Sequence, residues 1–62
     1  MSKFLEINII GYRDVKEKIL VNVGSISHIA QFDGGVAFYV DGHENIFDGT
    51  YDELKKLILG EN

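Results

Sequence analysis

The chain has 62 residues, no cysteine, no proline and a formal charge of −4, from ten acidic against six basic side chains. That length makes one domain, residues 1–62. The missing cysteines exclude disulfides and a cysteine-based zinc site, and the sign of the charge argues against nucleic acid or an anionic membrane as partner, because neutralising phosphates drives that affinity.

The start, Met1 to Glu6, lacks the apolar core of a signal peptide. No apolar run reaches the ~20 residues of a membrane helix. Absence of cysteine fits a reducing compartment, so a soluble, cytoplasmic protein is the expectation.

Phe4 to Ile10 reads as a strand, with Leu5, Ile7 and Ile9 on one face and Phe4, Glu6 and Asn8 on the other. Gly11 to Glu17 is polar and reads as a loop. Lys18 to Val23 is the second strand, placing Ile19, Val21 and Val23 on one face and Leu20 on the other. Gly24-Ser25-Ile26-Ser27 then breaks the alternation and predicts a tight bend.

His28 to Phe32 and Val36 to Val40 read as a hairpin around Asp33-Gly34, a pair that tolerates the positive φ of a tight loop. This register sets Gln31 opposite Val36 and Ile29 opposite Phe38, with Ile29, Val36, Phe38 and Val40 facing the core. Asp41-Gly42 turns the chain into a short strand, Glu44 to Phe47. A two-residue loop there pairs Ile46 with Ala37, and a three-residue loop pairs it with Phe38. The second is preferred because it points Ile46 inward.

Thr50-Tyr51-Asp52-Glu53 is a capping box, and Asp52 and Glu53 suit the positive end of a helix dipole. Leu54, Leu57 and Ile58 follow at helical spacing, with Tyr51 one turn before, and Gly60 is a C-cap. The expected fold class is therefore α+β: a small antiparallel β-meander of four to five strands, with one C-terminal amphipathic helix packed on one face.

Little in the sequence commits the chain to a reaction, and no enzyme is expected. Ser27 and His28 are neighbours on a strand and should point to opposite faces, which denies a nucleophile its base. His43 sits in Asp41-Gly42-His43-Glu44, where turn chemistry accounts for the residues without a metal. Asp33-Gly34-Gly35 and Asp48-Gly49 match no phosphate loop. No catalytic residue, metal ligand or cofactor is assigned.

The aromatic residues carry more. Phe4, Leu20, Tyr39 and Phe47 fall on the face assigned away from the helix, which a two-layer domain would leave polar. They form the predicted interface patch. A core this small yields a net stability of only roughly 3–5 kcal/mol, which makes association the expected further source. A homo-oligomer follows, with a dimer favoured. The acidic surface is compatible with a basic protein partner. The alternative is a small-ligand-binding, sequestering protein, with its pocket at a subunit interface near Tyr39, Phe47 and the Asp-Gly turns.

One resemblance runs through Leu20-Val21-Asn22-Val23-Gly24-Ser25-Ile26-Ser27-His28-Ile29, the hairpin ending Phe38-Tyr39-Val40-Asp41-Gly42, the short strand Asn45-Ile46-Phe47 and the helix opening Thr50-Tyr51-Asp52-Glu53-Leu54. Across residues 4–59 the chain resembles the small FlbD-type proteins of flagellar and swarming motility, and similar short bacterial and phage proteins. They share an Asn followed by Ile-x-x-Ile, a later x-Gly turn and a Val-rich strand feeding a Glu-containing helix. The segment Gly11 to Glu17 is longer than their tight first hairpin. What the resemblance implies is a small regulatory or accessory protein acting by contact, with no catalytic residues.

Overall fold

The computed structural model describes residues 3–60. Five strands and one helix follow in chain order: β1 (Phe4–Ile10), β2 (Lys16–Asn22), β3 (Ile26–Phe32), β4 (Gly35–Val40), β5 (His43–Phe47) and α1 (Tyr51–Leu59). All pairings are antiparallel, in the order β2-β1-β5-β4-β3.

The first two strands alternate apolar and polar residues and pair along their whole length, from Phe4 opposite Asn22 to Ile10 opposite Lys16. Their connection is tighter than a polar loop. Tyr12–Asp14 forms a single 3-10 turn, with Arg13 and Asp14 at φ 60 and 62. The second strand begins at Lys16, two residues before the expected start, because this turn uses up fewer residues.

β2 and β3 lie at opposite edges of the sheet, yet only Val23–Ser25 separates them. A flat sheet of five strands would hold its edges roughly 19 Å apart. The chain from Asn22 to Ile26 reaches at most about 14 Å fully extended, and about 8 Å in 3-10 geometry. The sheet must therefore roll until its edges approach at this end. Three hydrogen bonds fasten the joint. The Asn22 side-chain oxygen accepts from the Gly24 N–H at 3.0 Å, the Val23 N–H donates to the Lys3 carbonyl at 2.8 Å, and the Asp41 N–H donates to the Ser25 carbonyl at 3.3 Å.

Between the hairpin β1–β2 and the meander β3–β4–β5 the seam is thin. Ile9 pairs with Phe47, and the Asp48 N–H donates to the Asn8 carbonyl at 3.0 Å. Packing holds the two halves together where hydrogen bonds do not. Ile7, Ile9, Val21, Val36, Phe38, Phe47 and Leu54 form the buried cluster, with Leu5, Ile19, Ile29 and Ile58 among the side chains packed against it.

The β3–β4 register is as expected, with Gln31 opposite Val36 and Ile29 opposite Phe38. The β4–β5 register corrects the preferred one. Ala37 pairs with Ile46 and Phe38 with Asn45, so the turn holds only Asp41 and Gly42, at φ 51 and 83. Positive φ at both central residues is a type I′ signature, and that turn matches the twist of the flanking strands. The consequence is a change of face: Ile46 points outward and Phe47, 6% exposed, points into the core. Burying the larger aromatic side chain is the better use of a thin core.

The helix starts as its capping box dictates. The Glu53 N–H donates to the Thr50 hydroxyl at 3.2 Å, and the Thr50 N–H donates to the Glu53 carboxylate at 2.9 Å. It ends at Gly60, which takes the left-handed conformation at φ 74. The inward stripe is buried Leu54 with half-buried Tyr51 and Ile58, and Leu57, expected in that stripe, is left at its margin. Leu54 is 0% exposed and Leu57 is 39% exposed. Leu54→Ala should therefore cost about 2–5 kcal/mol, enough to unfold most of a marginal domain. Leu57→Ala should cost less than half as much. Urea midpoints of the two variants check this order.

The Glu53 carboxyl is held below its ordinary pKa, first by the Thr50 backbone N–H and then by the Thr50 side chain. A group depressed in the folded state stabilises it above the ordinary carboxylate range and loses that contribution as pH falls through the folded value. The stability gap between wild type and Glu53→Ala should therefore shrink on acidification. Urea midpoints at neutral and acid pH measure it.

Candidate interaction surfaces

The outer face of the β1–β2 hairpin, turned away from the buried cluster, carries a pair of apolar side chains. Phe4 lies opposite Asn22, and Leu20 lies opposite Glu6, so Phe4 and Leu20 are diagonal neighbours on β1 and β2. They are 55% and 67% exposed. A diagonal separation of this kind is within reach of large side chains. Beside them Glu6 meets Lys18 at 3.4 Å, an exposed ion pair of small energetic weight.

The structure brings together only these two of the four residues expected to form one patch. Phe47 is in the core, for the register reason given above. Tyr39 lies on β4 opposite Glu44, and its ring and hydroxyl are taken up by His28 and Glu44. In place of the single patch, the outer face carries a second apolar group. Ile46, Ala37 and Ala30 stand side by side across β5, β4 and β3, with exposed Phe32 near the end of β3. The sequence signal for this group was the Asp41-Gly42 pair, which favours the two-residue turn.

Tyr39 belongs to a polar cluster. Its ring stacks on His28 with centroids 4.3 Å apart, and its hydroxyl donates to the Glu44 carboxylate at 2.9 Å. Ser27 Oγ also lies 3.1 Å from His28 Nδ1, contrary to the expectation that strand neighbours diverge. A β-bulge between Ile26 and His28 is the cause: it breaks the alternation of faces at Ser27. The contact does not make a catalytic pair by itself. Ser27 Oγ also lies 3.5 Å from the Tyr39 carbonyl, and Glu44 is engaged by the Tyr39 phenol, not by the imidazole. A nucleophile's base needs a third group to orient it.

Two clefts flank the helix. One, about 250 Å³, runs between α1 and the free edge of β3, with walls of Ile26, Ile29, Tyr51, Ile58 and Leu59. Lys55 and His28 stand in its lining. The other, about 420 Å³, lies between α1 and β1 and is more polar, with Glu6, Asp48, Glu53 and Lys56 around Phe47. Lys16 reaches Asp48 at 3.5 Å. Of the features that the ligand-binding alternative names, Phe47 and Asp48 line the second cleft, and Tyr39 lines neither. Among the described residues, no group of three or more His, Asp or Glu side chains converges as metal ligands would. No described helix is long and apolar enough to cross a membrane.

No family model, curated protein or solved structure matches the chain.

The Tyr39 phenol is held above its ordinary pKa, chiefly by its hydrogen bond to Glu44, with burial and the Glu44 charge adding in the same direction. Glu44→Gln removes the charge and weakens the bond. In an NMR-followed titration Tyr39 should be shifted upward in wild type and should move back toward the ordinary tyrosine value in Glu44→Gln.

Proposed function

We propose that this chain is a small, non-enzymatic regulatory protein of bacterial or phage origin that acts by protein–protein contact and self-associates, most simply as a dimer. The observation that carries the reading is the exposed pair Phe4 and Leu20, side by side on the outer face of the β1–β2 hairpin. Fully burying two such side chains contributes about 1.5–3 kcal/mol each. A two-fold contact sets the same patch against itself, the simplest closed arrangement. A thin core with no cysteine to cross-link it gives such burial a stabilising role.

The resemblance to FlbD-type motility proteins points the same way, toward an accessory protein that works by contact. A cytoplasmic site of action belongs to this proposal and rests on the cysteine-free composition. The charge of −4 supports a protein partner over a nucleic acid.

Light scattering coupled to size exclusion at tens of micromolar tests the reading. The expected mass is about twice the 7.0 kDa of one chain. Leu20→Glu should return it to the single-chain mass without loss of the helical and strand signal. A single-chain mass for wild type would remove self-association from the account. An assembly untouched by Leu20→Glu would remove this face from it.

A further inference from the structure

The two edges of the sheet differ in how they are protected. β2 opens with Lys16-Glu17-Lys18, and charge on an edge strand discourages pairing with another chain. β3, from Ile26 to Phe32, contains no Lys, Arg, Asp or Glu and, like the whole chain, no proline. Its only guard is the bulge at its start, which leaves His28 to Phe32 in regular pairing with β4 and with their other side unpaired. Directly beside this edge runs the apolar cleft under α1. In a chain of charge −4, the one ionised side chain lining that cleft among the described residues is cationic, Lys55.

We propose that the free edge of β3 and the cleft beside it form a binding site for an extended segment of another protein. The segment adds to the sheet as a sixth strand, antiparallel or parallel to β3, and turns alternate side chains toward the helix. Apolar ones enter the cleft between Ile29 and Ile58, and a carboxylate meets Lys55. This deepens the contact reading above and rests on it. Main-chain hydrogen bonds to an exposed edge supply affinity in such sites, while pockets for every second side chain supply choice of sequence.

A second copy of the chain is the poorer occupant. Its own β3 brings no carboxylate to Lys55, and its β2, with Glu17 between Lys16 and Lys18, brings a net positive charge to a cleft whose ionised wall is already cationic. Charge complementarity therefore selects an acidic, alternately apolar segment from a different protein.

The test titrates the isotope-labelled chain with a synthetic peptide, Thr-Ile-Thr-Val-Thr-Glu-Thr-Ile-Thr, whose apolar side chains and carboxylate share one face of an extended strand, followed by NMR. Three comparators accompany it: the same peptide with lysine at the acidic position, the acidic peptide N-methylated at alternate residues, and the Lys55→Glu protein. Lys55 is exposed, so the substitution leaves the fold intact. The expected result is shifts at the amides of His28 to Phe32 and at the methyls of Ile29 and Ile58. N-methylation should abolish binding. Lys55→Glu should weaken the acidic peptide roughly fivefold and favour the lysine peptide. Equal binding of acidic and lysine peptides, shifts confined to β2 or to Phe4 and Leu20, or no shift at millimolar peptide would overturn the site. Concentration-dependent shifts of the β3 amides without peptide would also overturn it, in favour of a second copy. If the peptide fails while Leu20→Glu still splits a dimer, only the β3 site is lost and the contact reading stands.

Discussion

Everything else in this structure depends on the three-residue joint that carries the chain from one edge of the sheet to the other. A flat sheet cannot be closed by so short a connection, so the sheet rolls. Rolling gives the small core an inside. Ile7 and Val21 from the hairpin then face Phe38 and Phe47 from the meander, although the two halves share a single paired position at Ile9 and Phe47. The joint itself depends on local chemistry. Asn22 turns its side chain back to the Gly24 N–H, as an Asx turn does, while Val23 and Asp41 bond backbone groups of the segments flanking it. Asn22, Ile26 and Ile29 thus sit at the joint and just beyond it, in places where the fold itself needs them.

The same rolling decides what stays open. The helix follows β5, the central strand, and lies over the rolled face with Leu54 as its anchor. It is too narrow to cover everything, so a cleft remains on each side of it. On the β3 side the cleft meets an edge strand without charge, and on the β1 side it meets Glu6 and Asp48. Contact sites of different character therefore follow from one asymmetry in where the charged residues of a 62-residue chain fall.

Much of the fold could be read from local pattern, because the deciding physics is local. Strand alternation located β1, the Asp33-Gly34 pair fixed the β3–β4 register, and Thr50 with Glu53 fixed the helix start. Where two local solutions compete, pattern fails. Asp41-Gly42 admits a two- or a three-residue loop, and the choice of the longer one carried Ile46 and Phe47 to the wrong faces. Leu54, Leu57 and Ile58 all satisfy helical spacing, and only the position of the rolled sheet decides that Leu57 lies at the margin. The pairing of β1 with β5 has no local signature, since the two strands are far apart in sequence. The Ser27–His28 contact required a bulge, which alternation does not announce. The expected patch of Phe4, Leu20, Tyr39 and Phe47 dissolved for the first of these reasons and because Tyr39 is engaged by His28 and Glu44.

Native-state hydrogen exchange, resolved by residue, tests the rolled sheet most directly. If the joint closes the two edges, the Val23 and Asp41 amides are held by Lys3 and Ser25 and should exchange as slowly as the core amides of β4. Edge amides of β3 that point away from β4 should exchange rapidly. Val23 and Asp41 amides exchanging at the rate of the exposed turn at Tyr12–Asp14 would contradict the account, because the joint would then be open and the sheet free to flatten.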